Sequence, residues 1–453
     1  MQKQERSRML GTMPMSRLIP TVSVPIMISM LVQALYNIVD SIFVARYDPN
    51  ALTAVSLAYP IQMLMVALST GMGTGIGSLV SRRLGEKKPQ EAVNAARNGV
   101  LIEMCSCALF VIVGLFMSRM FMGMFTPDPV LQELGTTYLT IVCTASFGLF
   151  MSIVLERLMQ ATGNTTLSML TQLTGAVVNI ILDPIMIFTM NMGIAGAAWA
   201  TVIGQLSGMM LGFVLNQKKN PELRLSLKGF RMDFDIIRSI FAVGLPSTVM
   251  ASIGSVLNVL MNLILIAFGN TAVSVLGVYY KLQSFVFMPV FGLSNGLVPV
   301  VGYNYGARIR KRVYEAIRVA MTIAVVIMAA GTAAFMLFPE LLLSLFEAGE
   351  ASDLTAIGVK ALRTISFNFI PAAIGITLST VFQAVGKGTY SLINSLCRQL
   401  VVLLPAAFIL SRIGGLDAIW WAWPISETVS LLLSIVMFSR CNKKMIRPLG
   451  RDA

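Results

Sequence analysis

The sequence predicts an all-α polytopic membrane protein, with about twelve transmembrane helices in two six-helix lobes related as parallel repeats. Three observations carry this prediction. Of 453 residues, 56% are hydrophobic and only 12% charged, and the mean hydropathy is +0.77, a balance foreign to a water-soluble chain of this length. Apolar runs recur along the whole chain, each long enough to cross a bilayer, for which roughly 20 residues at ~1.5 Å rise suffice. Finally, the chain repeats itself: Pro25 and Pro246, Asn37 and Asn258, Ala51 and Ala272, and Tyr59 and Tyr280 stand 221 positions apart, as do Gly71, Gly75 and Gly85 from Gly292, Gly296 and Gly306.

The spans fall near 17–44, 52–79, 92–117, 131–157, 165–189 and 193–216, then 236–267, 272–300, 313–338, 354–381, 388–411 and 416–438. Later in the halves, QATGNTT at 160–166 matches QAVGKGT at 383–389, and Gly193 and Trp199 match Gly415 and Trp421. Residues 1–216 therefore form one lobe, 217–235 a cytoplasmic linker, and 236–453 the second lobe.

Basic residues cluster in alternate connections: the N-terminal tail (Lys3, Arg6, Arg8, Arg17), the second loop (Arg82, Arg83, Lys87, Lys88) and the sixth (Lys218, Lys219, Arg224, Lys228, Arg231). The eighth loop (Arg308, Arg310, Lys311, Arg312) and the C-terminus (Arg440, Lys443, Lys444, Arg447, Arg451) continue the pattern. The intervening loops carry scattered charges such as Arg46, Arg119 and Arg412, and the ninth is acidic (Glu340, Glu347, Glu350, Asp353). This is the positive-inside bias, and it places both termini in the cytoplasm. It also accounts for the net charge of +13 without a nucleic-acid partner. No cleavable signal peptide is expected, because the first apolar run is too long and more spans follow.

Histidine is absent, which excludes His-ligated metal and His-dependent catalysis and leaves carboxylates for any proton relay. The five cysteines (Cys105, Cys107, Cys143, Cys397, Cys441) lie in or beside apolar runs without metal-ligand spacing and read as small hydrophobes.

The first span carries Gln33, Tyr36 and Asp40 on one helical face. No basic residue lies within a helical turn of Asp40, and a carboxylate at membrane depth costs about 2.5–3.5 kcal/mol on insertion scales, so it marks function by default. The fifth span adds Asn179 and Asp183 at i, i+4, and the sixth adds Thr201. All four fall in a common layer of the outer half of the membrane. Oxygen groups of this kind suit a hard cation such as Na⁺, while two close carboxylates equally suit a shared proton. The second half has Met261 in place of Asp40, and about Val402, Ala406 and Trp423 at the other positions. The acidic site belongs to one lobe.

Taken together, these features resemble the multidrug and toxic compound extrusion (MATE) family, particularly its bacterial DinF-like and MepA-like branch. In that family a first-helix aspartate, an Asn-x-x-x-Asp pair on the fifth helix and a sixth-helix threonine form the N-lobe cation or proton site. The resemblance assigns these roles to Asp40, Asn179, Asp183 and Thr201. It assigns helix bending to Pro25 and the substrate cavity to Gln33, Tyr36 and the neighbouring Asn37. Another branch uses acidic residues on the seventh and tenth helices; here none lies within 246–268 or 361–381, so no second-lobe coupling site of that kind is expected.

Other membrane charges have plainer readings. Lys281, Arg398 and Glu427 fall near mid-depth of the second lobe and form either a buried cluster holding it together or a substrate or gating contact. Glu103 is expected to be hydrogen-bonded within the bundle, and Glu156 and Arg157 to make interfacial or interlobe contacts. Some of the 31 methionines line the cavity, where a flexible thioether tolerates varied ligand shapes.

The expected protein is a monomeric secondary-active exporter of the bacterial inner membrane, surrounded by membrane lipids. It needs no cofactor and uses H⁺ or Na⁺ as coupling ion. Its small-molecule substrates are amphipathic, cationic organic compounds, held in a cavity between the lobes that opens alternately to each side. No G-x-x-x-x-G-K-[ST] run supplies ATP chemistry. The alternative is a flippase for a lipid-linked precursor with a related two-lobe fold, in which more cationic cavity residues are expected. An enzyme is weakly supported, since no nucleophile–base pair can be named, and asymmetric lobes favour a carrier over a channel.

Overall fold

The computed structural model describes residues 6–226, 230–345 and 353–450. Lys3, Lys228, Glu347, Glu350, Arg451 and the Arg6 and Asp353 side chains, counted among the loop charges above, lie outside the described residues and groups. In the first half, short α1 (Arg6–Thr12) precedes α2 (Met15–Tyr47), α3 (Pro49–Gly85), α4 (Pro89–Phe116) and α5 (Ser118–Phe125). Then come α6 (Pro129–Thr144), α7 (Phe147–Ala161), α8 (Thr165–Pro184) and α9 (Gly193–Lys219). The second half runs through α10 (Phe234–Leu265), α11 (Asn270–Gly306), α12 (Arg310–Leu337), α13 (Pro339–Ser344), α14 (Asp353–Ser366) and α15 (Phe369–Ala384). It ends with α16 (Gly388–Leu396), α17 (Leu404–Ile413), α18 (Gly415–Ile419) and α19 (Ala422–Cys441).

Among the described residues ten helices, some extended by π or 3-10 turns, are long and apolar enough to cross a membrane. Two bent pairs, α6–α7 at 46° and α14–α15 at 47°, bring the number to twelve. The expected fourth and tenth spans are thus broken, at equivalent places in the two halves. Local chemistry starts the helices where the sequence marks them. Asp48 accepts from the Asn50 amide at 2.8 Å to open α3 and Asp128 from the Val130 amide at 2.8 Å to open α6, each followed by proline. Asp233 caps α10 through the amides of Asp235 and Ile236. The repeated QA-x-G segments end α7 and α15 in the same way. Gly163 (φ 80°) and Gly386 (φ 85°) take the left-handed conformation, and the next amide, of Asn164 or Lys387, returns to the carbonyl of Met159 or Phe382.

Two apolar cores form, one per lobe, but each first span is lodged in the other lobe. Met15, Leu18, Ile19 and Val22 at the base of α2 pack into the core of the second half. Ile236 and Ile240 at the base of α10 pack into the core of the first. Met15 and Ile236, like Ile19 and Ile240, are repeat partners 221 positions apart, so the exchange obeys the internal symmetry.

The seam between lobes is closed at the end of the bundle carrying the basic loops. Gly71 abuts Thr248, and its repeat partner Gly292 abuts Met27, the repeat partner of Thr248. Gly75 lies against Ile240 and Gly244, and Gly296 against Ser23. At Gly71, Gly75 and Gly292 the facing backbone is so near that a Cβ would overlap it, and at Gly296 a Cβ would meet the Ser23 Cα at 3.0 Å. Toward the opposite ends the same helices become exposed: Leu35, Ile38 and Ile42 on α2, Tyr59 on α3, and Val256, Val259 and Leu263 on α10.

Candidate functional site

The candidate residues come from three neighbouring helices. α2 presents Gln33, Tyr36, Asn37 and Asp40 along successive turns of one side. α8 presents Asn179 and Asp183 one turn apart, both buried. α9 presents Thr201, also buried. Glycines let α8 and α9 approach backbone to backbone. A Cβ on Gly204 would sit 2.7 Å from the Gly175 carbonyl oxygen and 3.1 Å from the Asn179 Cβ.

This approach assembles all four sequence-predicted coupling residues. The Asn179 amide nitrogen lies 3.4 Å from Asp183 Oδ1 and 3.5 Å from Thr201 Oγ1. The Thr201 hydroxyl donates to the Ala197 carbonyl one turn back at 3.0 Å. The Asp40 and Asp183 carboxyl groups face each other across the α2–α8 contact. Asp40 Oδ1, Asn179 Oδ1 and Asp183 Oδ2 are all buried and have no hydrogen-bond donor. Buried acceptors are normally paired, and leaving one unpaired costs about 1–3 kcal/mol. Three such acceptor oxygens, on Asp40, Asp183 and the Asn179 hydrogen-bonded to it, form a set that a cation or a proton would complete.

Asn179 and Thr201 also line a cavity of about 260 Å³, and so do Gln33, Tyr36 and Asn37, all three expected there. Met30 and Met63 contribute to its wall, as expected of some methionines. The cavity lies within the first lobe, with Asn295 of α11 as the one contributor from the second. Where the glycine-lined seam brings the two backbones together, side chains of the second lobe other than Asn295 are kept out of this cavity's wall. Gln172 donates to Gln33 Oε1 at 2.7 Å across the cavity. Arg157 donates to Gln160 Oε1 and to Asn295 Oδ1, both at 3.1 Å, the interlobe contact expected of it. Glu156 lines the same cavity.

Several participants escaped the sequence reading. Tyr138 of α6 accepts from Gln62 of α3 at 3.0 Å and lies within electrostatic reach of both Asp40 and Asp183. Gln62, Gln172 and Asn295 were visible as polar residues in apolar runs; nothing local marks Tyr138. Pro25 sits inside an unbroken α2, and its carbonyl accepts from the Ser29 hydroxyl at 3.0 Å. Glu103 is fully buried and accepts from Ser69 at 3.0 Å, as expected. In the second lobe, Arg398 and Glu427 pair at 3.4 Å, with Glu427 buried, while Lys281 is exposed. Met261, at the place of Asp40, is sealed in the apolar core.

The family model MatE matches residues 25–185 and again 246–409. The Multidrug export protein MepA of Staphylococcus haemolyticus (strain JCSC1435) is 25% identical over 423 residues, covering 93% of each chain. An outward-facing conformation of a multidrug resistance MATE family transporter of the MOP superfamily superposes with TM-score 0.89 at 27% identity, covering 98% of this chain and 100% of the other. A crystal structure of MATE in the bent conformation gives TM-score 0.91 at 26% identity, with 98% and 99% covered; one in the straight conformation gives 0.91 at 27%, with 98% and 100% covered. The family model falls twice, once on each lobe and at equivalent places, so the repeat read in the sequence is the family's own: this chain belongs to the MatE family.

Proposed function

We propose that the protein is a secondary-active multidrug exporter of the bacterial inner membrane, working as a single chain with both termini in the cytoplasm. It expels amphipathic, cationic organic compounds in exchange for H⁺ or Na⁺. The observation that carries this reading is the Asp40–Asp183 pair, two carboxyl groups facing each other with no basic partner among the described hydrogen bonds and ion pairs, beside a cavity whose wall shares Asn179 and Thr201 with the pair.

A deprotonated, empty pair carries negative charge next to the cavity and attracts a cation there. H⁺ or Na⁺ arriving at the pair removes that charge, and a cationic substrate loses its attraction. Pro25 removes one backbone donor from α2, so the helix bends there with fewer hydrogen bonds to break. That MATE structures are solved in a bent and a straight conformation supports a conformational change of this kind, and the name of MepA as a multidrug export protein supports export. The exchanged bases of α2 and α10 suit a rocking of whole lobes, because each lobe grips the other's first span. Dye efflux from proteoliposomes tests the reading: a pH or Na⁺ gradient should drive it and an uncoupler or ionophore stop it. ATP-driven efflux without an ion gradient would refute it.

A further inference from the structure

A second cavity, of about 910 Å³, opens at the basic end of the bundle, remote from the Asp40–Asp183 pair. Four separate stretches of chain wall it: α1, the turn after α3, the turn after α11, and residues 444–449. Five basic side chains line it, Arg8, Lys87, Lys88, Arg308 and Lys444, against one carboxylate, Glu86. That carboxylate is held by Arg83 at 2.8 Å and lies 3.9 Å from Lys88, which also pairs with Glu91 at 3.1 Å. The Tyr303 and Tyr305 side chains and Thr12 add hydroxyl groups to the wall.

We propose that this cavity is a binding site for a phosphate-bearing anion, and that the bound anion holds the basic end of the transporter closed. The positive-inside bias explains why these loops are basic, but not why four of them converge on one concavity. A cleft lined by one sign of charge concentrates counter-ions of the other. Lysine, arginine and tyrosine hydroxyl donors are the groups that take phosphate oxygens.

The walls are built rather than loose. Arg312 donates to the Leu10 and Met13 carbonyls at 3.0 and 2.8 Å, and Asn304 donates to the Leu10 carbonyl at 2.8 Å, fixing α1. Arg310 reaches the Arg447 carbonyl at 3.3 Å, and Tyr314 and Asn442 hydrogen-bond at 2.5 Å, fixing the C-terminal wall. Lys87 and Arg308 are repeat partners, and both take the left-handed conformation, with φ of 59° and 56°. Such backbones are uncommon outside glycine and asparagine, so the two cations are presented symmetrically from opposite lobes.

Lys87 and Lys88 follow α3 of the first lobe, while Tyr303 and Arg308 belong to the second. The full cavity therefore exists only while the lobes meet at this end. An anion spanning it binds that arrangement better than one with the lobes apart, and shifts the equilibrium by that difference.

The anion is either the headgroup of an acidic phospholipid or a soluble phosphate compound. Calorimetric titration of the purified full-length protein in neutral detergent, with dihexanoyl phosphatidylglycerol and separately with potassium pyrophosphate, distinguishes them. Saturable binding of one or both is expected. In Lys87→Asn/Arg308→Asn, where asparagine keeps the left-handed backbone, that binding should weaken about tenfold or more, the effect of losing charge-assisted hydrogen bonds. Lys218→Gln/Lys219→Gln, which removes two exposed linker cations, should leave it unchanged. Binding of the lipid alone assigns the site to the membrane, and of pyrophosphate alone to a soluble ligand. Saturable binding of neither, or equal weakening in both double variants, would overturn the proposal.

Discussion

Gly85 and Gly306 occupy equivalent places in the two repeats, and each lies directly against a backbone carbonyl of the other lobe, that of Tyr303 for Gly85 and that of Arg82 for Gly306. Tyr303 and Arg82 are themselves repeat partners. The contact is one interaction made twice around an internal two-fold, and neither position has room for a side chain. It closes the basic end of the bundle.

A cross-link across this seam should arrest transport. A Cβ on Gly296 would lie 3.1 Å from the Ser23 Cβ, somewhat short of the usual disulfide separation of about 3.5–4.5 Å, so a small relaxation suffices. In a background lacking the five native cysteines, Ser23→Cys/Gly296→Cys should oxidise readily and lose efflux, and a reductant should restore it. Unimpaired efflux in the oxidised variant would show that the seam need not open.

Substituting a seam glycine should act through the backbone. Gly75→Val places side-chain atoms where Ile240 and Gly244 lie, and overpacking of this kind costs about 1–3 kcal/mol. Lower thermal stability and greater access of a thiol reagent to a cysteine placed at Ser23 are expected. Protection equal to that of the parent protein would contradict the packing argument.

Glu427 should behave as structure. Glu427→Gln leaves Arg398 without its anion. Since the Arg398 side chain keeps 28% exposure, the loss is smaller than for a fully buried pair, about 1–3 kcal/mol. Melting temperature should fall while transport per folded molecule stays near that of the parent. The reverse pattern would make Glu427 a coupling or substrate residue.

Much of this was legible in the sequence because period and offset are linear signals. Ungapped glycine and proline matches at one offset announced the repeat, and Asn179 and Asp183 share a helical face by spacing alone. That Asp40 faces Asp183 was only inferable as a shared depth, because it depends on how α2 leans on α8. The exchanged bases of α2 and α10 left no mark, since Met15, Ile19, Ile236 and Ile240 are apolar whichever core receives them. The breaks at 145–146 and 367–368 fall in runs apolar enough to read as continuous spans. Tyr138 is an ordinary aromatic until tertiary structure joins it to Gln62 within electrostatic reach of two carboxyl groups.

Asp40→Asn keeps the shape of the side chain and removes its charge. Reconstituted variant protein should remain folded and lose efflux to background, a fall of at least about tenfold for a residue that carries coupling. Normal export by this variant would remove Asp40 from the mechanism.

Competition between coupling ion and substrate at the first lobe is the central claim, and equilibrium binding tests it most directly. A proton or Na⁺ on the Asp40–Asp183 pair lowers the negative charge beside the cavity, so a cationic substrate must bind less well, and linkage makes the effect reciprocal. Titrating a fluorescent cation against the detergent-solubilised protein, across pH and across Na⁺ concentration, should show affinity falling as pH falls, or as Na⁺ rises if Na⁺ is the coupling ion. Asp183→Asn should flatten the dependence. Affinity indifferent to both pH and Na⁺ in the unsubstituted protein would contradict the account.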